Sequence, residues 1–131
     1  MRLLLDTHIW LWSVLEPKRL SRRVAKALSA PDSEVWISPV STWEILALAA
    51  KGRLALNPDP HRWIAATMTR ASFREAPLTQ EVVMGMRTIE LPHRDPADWF
   101  LAATAKSFGL NLVTADENLI RGRGYPVLAN R

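Results

Sequence analysis

Four carboxylic acids stand where a folded α/β protein would do chemistry. Asp6 follows Leu3-Leu4-Leu5 directly and Asp116 follows Leu112-Val113-Thr114-Ala115, so each comes at the end of an apolar, strand-like run. In open α/β sheets the crevice beyond the carboxyl ends of the strands is where ligands bind. Glu44 is one helical turn from Val40 and one from Leu48, beside Trp43 and Ala47, as the sole acid within an apolar stripe. Asp98 stands one turn before Leu101 and Ala102, near the start of another helical segment. Taken singly, each acid has a structural reading: an ion pair or exposed site for Glu44, a first-turn dipole partner for Asp98. No cap or dipole is expected to explain the convergence of all four on one sheet edge. Clustered carboxylates repel and are tolerated when partly protonated or when they hold a hard cation. A chain without Cys offers only oxygen and imidazole ligands, which favours Mg²⁺, with Mn²⁺ as the alternative, over Zn²⁺. Such an ion binds phosphate and acidifies water, so metal-dependent phosphodiester hydrolysis is the chemistry this set suits.

The elements that must position these acids are legible in the pattern. Three consecutive Leu without polar alternation read as a strand buried on both faces, the habit of a central parallel strand. Further strands are expected at Val35–Ile37, Phe73–Ala76, Asn111–Thr114 and, at an edge, Tyr125–Leu128. Helices are expected over His8–Leu15, ended by Pro17, and from an N-cap at Ser21 to about Ala30. The next runs from Ser38 and Pro39 to Lys51, stopped by Gly52, and another from Asp59 and Pro60 to about Arg70. Thr79 begins a helix through about Ile89. Asp95 as N-cap, Pro96 at the first position and Gly109 past the end frame the clearest helix, with Ala97, Leu101, Ala105 and Phe108 as its core face. A short turn of helix follows at Glu117–Arg121. The β-α order predicts a three-layer α/β/α sandwich with a mostly parallel central sheet.

A length of 131 residues, 48% of them hydrophobic, suits one domain spanning residues 1–131. No apolar run reaches a membrane span, no secretory signal is evident, and the absence of Cys fits a reducing compartment, so a cytoplasmic protein without membrane attachment is expected. Seventeen Lys and Arg against thirteen Asp and Glu permit a polyanionic partner. If the acids gather in one pocket, the remaining surface is more basic than the average implies. Of the six Trp, those at 10, 12, 36, 43 and 99 read as core or interface residues before base-stacking ones.

Leu4-Leu5-Asp6-Thr7-His8, the Ser38-to-Glu44 helix, His93-Arg94-Asp95-Pro96-Ala97-Asp98 leading into Leu101-Ala102-Ala103-Thr104-Ala105, and Leu112-Val113-Thr114-Ala115-Asp116 together resemble the PIN domain. More narrowly, they resemble the ribonuclease toxins of VapBC-type toxin–antitoxin pairs, in order and spacing across nearly the whole chain. The resemblance implies an Mg²⁺-dependent endoribonuclease in which Asp6, Glu44, Asp98 and Asp116 hold the metal and activate water. It also implies products bearing a 5′-phosphate and a 3′-hydroxyl. Thr114 would hydrogen-bond within the site, Thr7 is a weaker candidate for that role, and Asp95 is a cap first and a contributor second. Related sequences often carry Arg directly after the acid matched by Asp98, where this chain has Trp99. Arg22, Arg23, Arg94, Arg121 and Arg123 are candidate contacts to the RNA backbone. His8 and His93 read as structural and are left outside the site. The implied partners are RNA, a small VapB-type antitoxin covering the cleft, and a second copy of the chain, the last supported by Ile45, Leu46 and Ala49 on the outer side of an almost wholly apolar helix. A haloacid-dehalogenase-like phosphatase would need an Asp where His8 stands, and a phospho-receiver would need a Lys after a later strand. The remaining alternative is a catalytically silent PIN-like module that binds RNA or protein.

Overall fold

The computed structural model describes residues 1–93 and 95–131. Five strands, β1 (Arg2–Leu5), β2 (Glu34–Ile37), β3 (Arg74–Glu75), β4 (Asn111–Thr114) and β5 (Val127–Ala129), form one sheet in the order β3-β2-β1-β4-β5, every pair parallel. The register sets Leu4 beside Trp36 on one side and beside Leu112 on the other, with Leu5 beside Val113. Successive side chains of a strand face opposite ways, and the core divides accordingly. Leu3, Leu5 and Val113 pack with Ile9, Trp10, Val24, Ile45 and Trp63, whereas Leu4 and Leu112 pack with Leu101, Ala105 and Leu119. The triple-Leu strand is fully buried on both faces because helices cover both.

One layer comprises α1 (Thr7–Leu15), α2 (Arg22–Ser29), α3 (Pro39–Ala50) and α4 (Pro60–Arg70); the other comprises α5 (Gln80–Gly85), α6 (Pro96–Phe108) and α7 (Glu117–Arg121). The expected caps are all formed. Ser21, Ser38, Asp59, Thr79 and Asp95 accept hydrogen bonds from first-turn backbone N–H groups, and Gly109 ends α6 in the left-handed conformation at φ 64°. Among the described residues, no helix is long and apolar enough to cross a membrane.

Three details differ from the sequence expectations. The helix begun by Thr79 ends at Gly85 and tightens into a 3₁₀ turn over Met86–Thr88. The last strand starts at Val127, because Pro126 lacks an N–H and contributes only its carbonyl, which accepts from Leu112 N at 3.0 Å. The outward side of α3 is also rotated from the expected one. Ile45, expected outside, is fully buried, and the residue that protrudes is Trp43, 63% exposed. Because α3 packs against α1, α4 and α6 together, its inward face is wider than a single stripe.

Leu4 has no exposed surface and its neighbours on both adjoining strands are themselves packed. Leu4→Ala is expected to lower the free energy of unfolding by about 3 kcal/mol, read as a shift in the urea midpoint at unchanged slope.

Candidate active site

Chain order reverses direction across the sheet between β1, whose other neighbour is β2, and β4. A crevice opens at such a switch point beyond the strand ends, and Asp6 and Asp116 are the residues that follow those two strands. A cleft of about 500 Å³ lies here, lined by all four expected acids, Asp6, Glu44, Asp98 and Asp116, together with Thr7, His8, Trp12, Arg19, Asp95, Leu101 and Ala115.

Local structure fixes each carboxylate. Asp6 is the N-cap of α1: its Oδ1 accepts from Ile9 N at 2.8 Å and its Oδ2 accepts from the Thr114 hydroxyl at 2.5 Å. The same Thr114 oxygen accepts from Asp116 N at 3.0 Å, so one buried hydroxyl links the ends of β1 and β4. Asp116 caps α7 by accepting from Asn118 N at 2.8 Å. Glu44 is half-buried on α3, and its Oε1 accepts from the Thr7 hydroxyl at 2.5 Å. Asp98, in the first turn of α6, is 9% exposed and its Oδ2 lies 2.7 Å from His93 Nε2. Asp95 caps α6 through Ala97 N at 3.0 Å and stays exposed.

Capping accounts for the local placement of Asp6 and Asp116. It does not account for Glu44 or Asp98. Nor does it account for a charge at position 6, because Asn or Ser caps a helix as well without burying a carboxylate.

The electrostatics are one-sided. Among the described residues, five acids line this cleft, against a single Arg and no Lys. Among the described residues, no Lys or Arg forms an ion pair with any of the five. Burial pushes the Asp6 carboxyl from 3.8 up to about 6, although the Thr114 hydroxyl and Ile9 N–H both favour the ionised form. Burial likewise raises Asp98 to about 6, with the charges of Asp95 and Asp116 adding to the shift and the His93 hydrogen bond opposing it. The Tyr125 phenol is pushed up to about 12, chiefly by burial and further by Asp98 and Asp116. An all-oxygen donor set with uncompensated charge suits a hard divalent cation.

Besides His8, which lines the cleft, two residues that sequence reasoning left out belong to this setting. Arg19 lines the cleft with its guanidinium 4.0 Å from the Trp12 ring centroid, a placement that no motif in the chain announces. His93 contacts Asp98, and its one sequence signal is a position five residues ahead of that acid. Of the expected RNA contacts, Arg22, Arg23, Arg121 and Arg123 are exposed but do not line the cleft, and Arg94 lies outside the described residues. Arg23 donates instead to the Ala129 carbonyl, fastening α2 to β5.

Residues 3–124 match the family model described as PIN domain. The chain belongs to the PIN-domain family. Among PIN relatives, Ribonuclease VapC22 of Mycobacterium tuberculosis (strain ATCC 25618 / H37Rv) is 32% identical over 126 residues, covering 94% of this chain and 92% of that protein. Two solved structures share the PIN fold. VapBC2 from Rickettsia felis, bound to a DNA fragment from its promoter, matches with a TM-score of 0.74 at 14% identity over 98% of both chains. DNA-bound VapBC from Salmonella typhimurium matches with a TM-score of 0.68 at 18% identity, again over 98% of both chains.

The raised carboxyl of Asp6 has a consequence for stability in this PIN chain. A group whose pKa is higher folded than unfolded supports the fold fully below its unfolded value and loses that support as pH rises through the folded one, here between about 4 and about 6. Asn at position 6 keeps an oxygen for Ile9 N and carries no charge. Asp6→Asn is therefore expected to be more stable than the parent by about 1–3 kcal/mol at pH 7.5 in EDTA, with the difference vanishing near pH 4; denaturant unfolding at both pH values measures it.

Proposed function

We propose that this chain is a divalent-metal-dependent endoribonuclease and the toxin of a type II toxin–antitoxin pair. The observation that carries this reading is the meeting of Asp6, Glu44, Asp98 and Asp116 in one cleft where two of them are too buried to ionise easily and none is paired with Lys or Arg among the described residues. The name of the 32% identical relative supports RNA as substrate, and the VapBC complexes among structures of like fold support a small antitoxin as partner.

In this reading Asp6, Asp98 and Asp116 hold the ion, Mg²⁺ or Mn²⁺ by the chemistry of the donors, and Glu44 completes the set. When bound, such a cation supplies positive charge opposite a phosphodiester and lowers the pKa of water. The residues of the chain do the rest. The Thr114 hydroxyl and Ile9 N–H keep the Asp6 carboxylate from rotating, and the Thr7 hydroxyl does the same for Glu44. The acidic walls bias the cleft toward a cation and against a bare phosphate, so cleavage depends on the ion being present. Arg19, held against Trp12 at the same cleft, offers a guanidinium to the RNA backbone, while exposed Arg22, Arg121 and Arg123 contribute to a salt-sensitive general attraction. Water attacks phosphorus, and the products carry a 5′-phosphate and a 3′-hydroxyl.

Two apolar surfaces suit the protein partners. A groove beside the cleft, with Leu11, Trp12, Leu15, Leu48 and Leu54 along it and His8, Glu16 and Arg53 as its polar lining, fits an amphipathic antitoxin segment that also covers the acids. On another side, Val40, Trp43, Leu78, Pro96, Ala97 and Phe100 enclose an almost wholly apolar hollow, which a second copy of the chain would cover.

End-labelled single-stranded RNA is expected to be cut in Mg²⁺, to survive in EDTA, and to be cut at least about 100-fold more slowly by Asp6→Asn or Asp116→Asn, a loss beyond that of an outer-sphere contact. Equal cleavage in all conditions, or none by the parent, overturns the reading in favour of contamination or a silent module. Sedimentation of the parent at micromolar concentration is expected to give a dimer, and Trp43→Asp a monomer; a monomeric parent removes the second copy from the scheme.

A further inference from the structure

The segment entering α6 carries a hydrogen-bonded chain that ends on one of the cleft acids. Trp99 Nε1 donates to the His93 backbone carbonyl at 3.0 Å, and His93 Nε2 lies 2.7 Å from Asp98 Oδ2. The His93 side chain is 27% exposed and that of Asp98 12%. The ionised form of the carboxylate, the one that would hold a cation, can only accept, so with that form Nε2 is the donor of this contact. Nδ1 is buried without a hydrogen-bond partner among the described residues. Asp98 Oδ1 accepts no hydrogen bond there either, which leaves it as the oxygen available to a ligand.

The arrangement does more than satisfy polar groups. Asp98 is in the first turn of its helix but is not the cap, so no backbone N–H fixes its carboxylate as Ile9 N fixes that of Asp6. The imidazole is the group that does. His93 itself precedes the helix, where the backbone has no ladder to hold it, and the indole of Trp99 pins its carbonyl back onto α6. Ligating carboxylates depend on such outer hydrogen bonds for orientation, and losing one typically costs 10–100-fold in metal affinity.

We propose that Trp99 and His93 form a positioning relay for Asp98: the indole fixes the His93 backbone, and the imidazole fixes the plane of the carboxylate so that Oδ1 is presented to a divalent cation. This rests on the reading of Asp98 as a cation-holding acid. A different arrangement must be separated from it, because ligand atoms of His93, Asp95 and Asp98 all lie within 4.8 Å of one another and could in principle bind an ion directly. The Nε2–Oδ2 separation is that of a hydrogen bond, which favours the relay.

The experiment is calorimetric titration of the full-length protein with Mn²⁺, with thermal melting of each variant as a check on folding. His93→Ala is expected to weaken Mn²⁺ binding by about 10–100-fold. His93→Gln, whose Nε2 donor reaches as far as that of His but which is a poor ligand, restores most of it. Trp99→Phe keeps an aromatic ring without the N–H, weakens binding less than His93→Ala, and adds nothing in the His93→Ala background. Parent-like binding by His93→Ala overturns the relay while leaving the acidic site intact, and so does His93→Gln binding as weakly as His93→Ala, which assigns His93 to the ion itself. Additivity of Trp99→Phe with His93→Ala removes Trp99 from the relay. A parent that takes up no Mn²⁺ overturns the metal-site reading and the relay together.

Discussion

Ionised carboxylates are costly to bury, and this fold buries two of them within reach of others with no Lys or Arg ion pair to either among the described residues. The cost is visible in Asp6 and Asp98, both raised to about 6 chiefly by desolvation. A protein selected only for stability would place amides or apolar groups at these positions. The remaining architecture follows from tolerating this charge: a triple-Leu strand packed on both faces, helices capped on either side of it, and a chain reversal that leaves a crevice above β1 and β4. The rigid sheet is what keeps mutually repelling groups from swinging apart.

Hydroxyls do much of the local work. Thr114 serves two masters, donating to Asp6 and accepting from the backbone of Asp116, so that the relative position of two strand ends is set by one oxygen. Thr7 extends the same device to α3, binding Glu44 and tying the first helix to the third. Neutral donors of this kind orient a carboxylate without cancelling its charge. A Lys in either place would cancel the charge that these hydroxyls leave intact.

Much of this was legible before any coordinates. The acids at strand ends, the Ser, Thr and Asp caps, the Pro at first helical positions and the Gly at helix ends are local signals with local causes, and the elements they predicted formed within a residue or two at most boundaries. What sequence patterning handled less well depended on several elements at once. The inward face of α3 differs from the one its pattern predicts because one helix packs on three others, which turns Ile45 inward and Trp43 outward. Arg19 reaches the cleft by stacking on Trp12, a contact between α1 and the 3₁₀ turn Pro17–Arg19 after it that no periodicity encodes. A lone histidine reads as structural, and the contact of His93 with Asp98 five residues on is a tertiary one that no local pattern encodes. Among the acids, the dual use of Asp6 and Asp116 as caps was also missed, because position after a strand and position before a helix are the same place in this topology.

That dual use leaves an evolutionary signature. At positions 6 and 116 the helix still needs a side-chain acceptor even when no chemistry is asked of the protein, so a descendant that lost its activity could shed the charge yet would keep a small polar residue there. Positions 44 and 98 carry no capping duty, and relaxed selection lets them drift toward whatever packs best. An inert paralogue is thus recognised by what stands at the second pair, and a polar residue at the first pair says little about whether the protein still works.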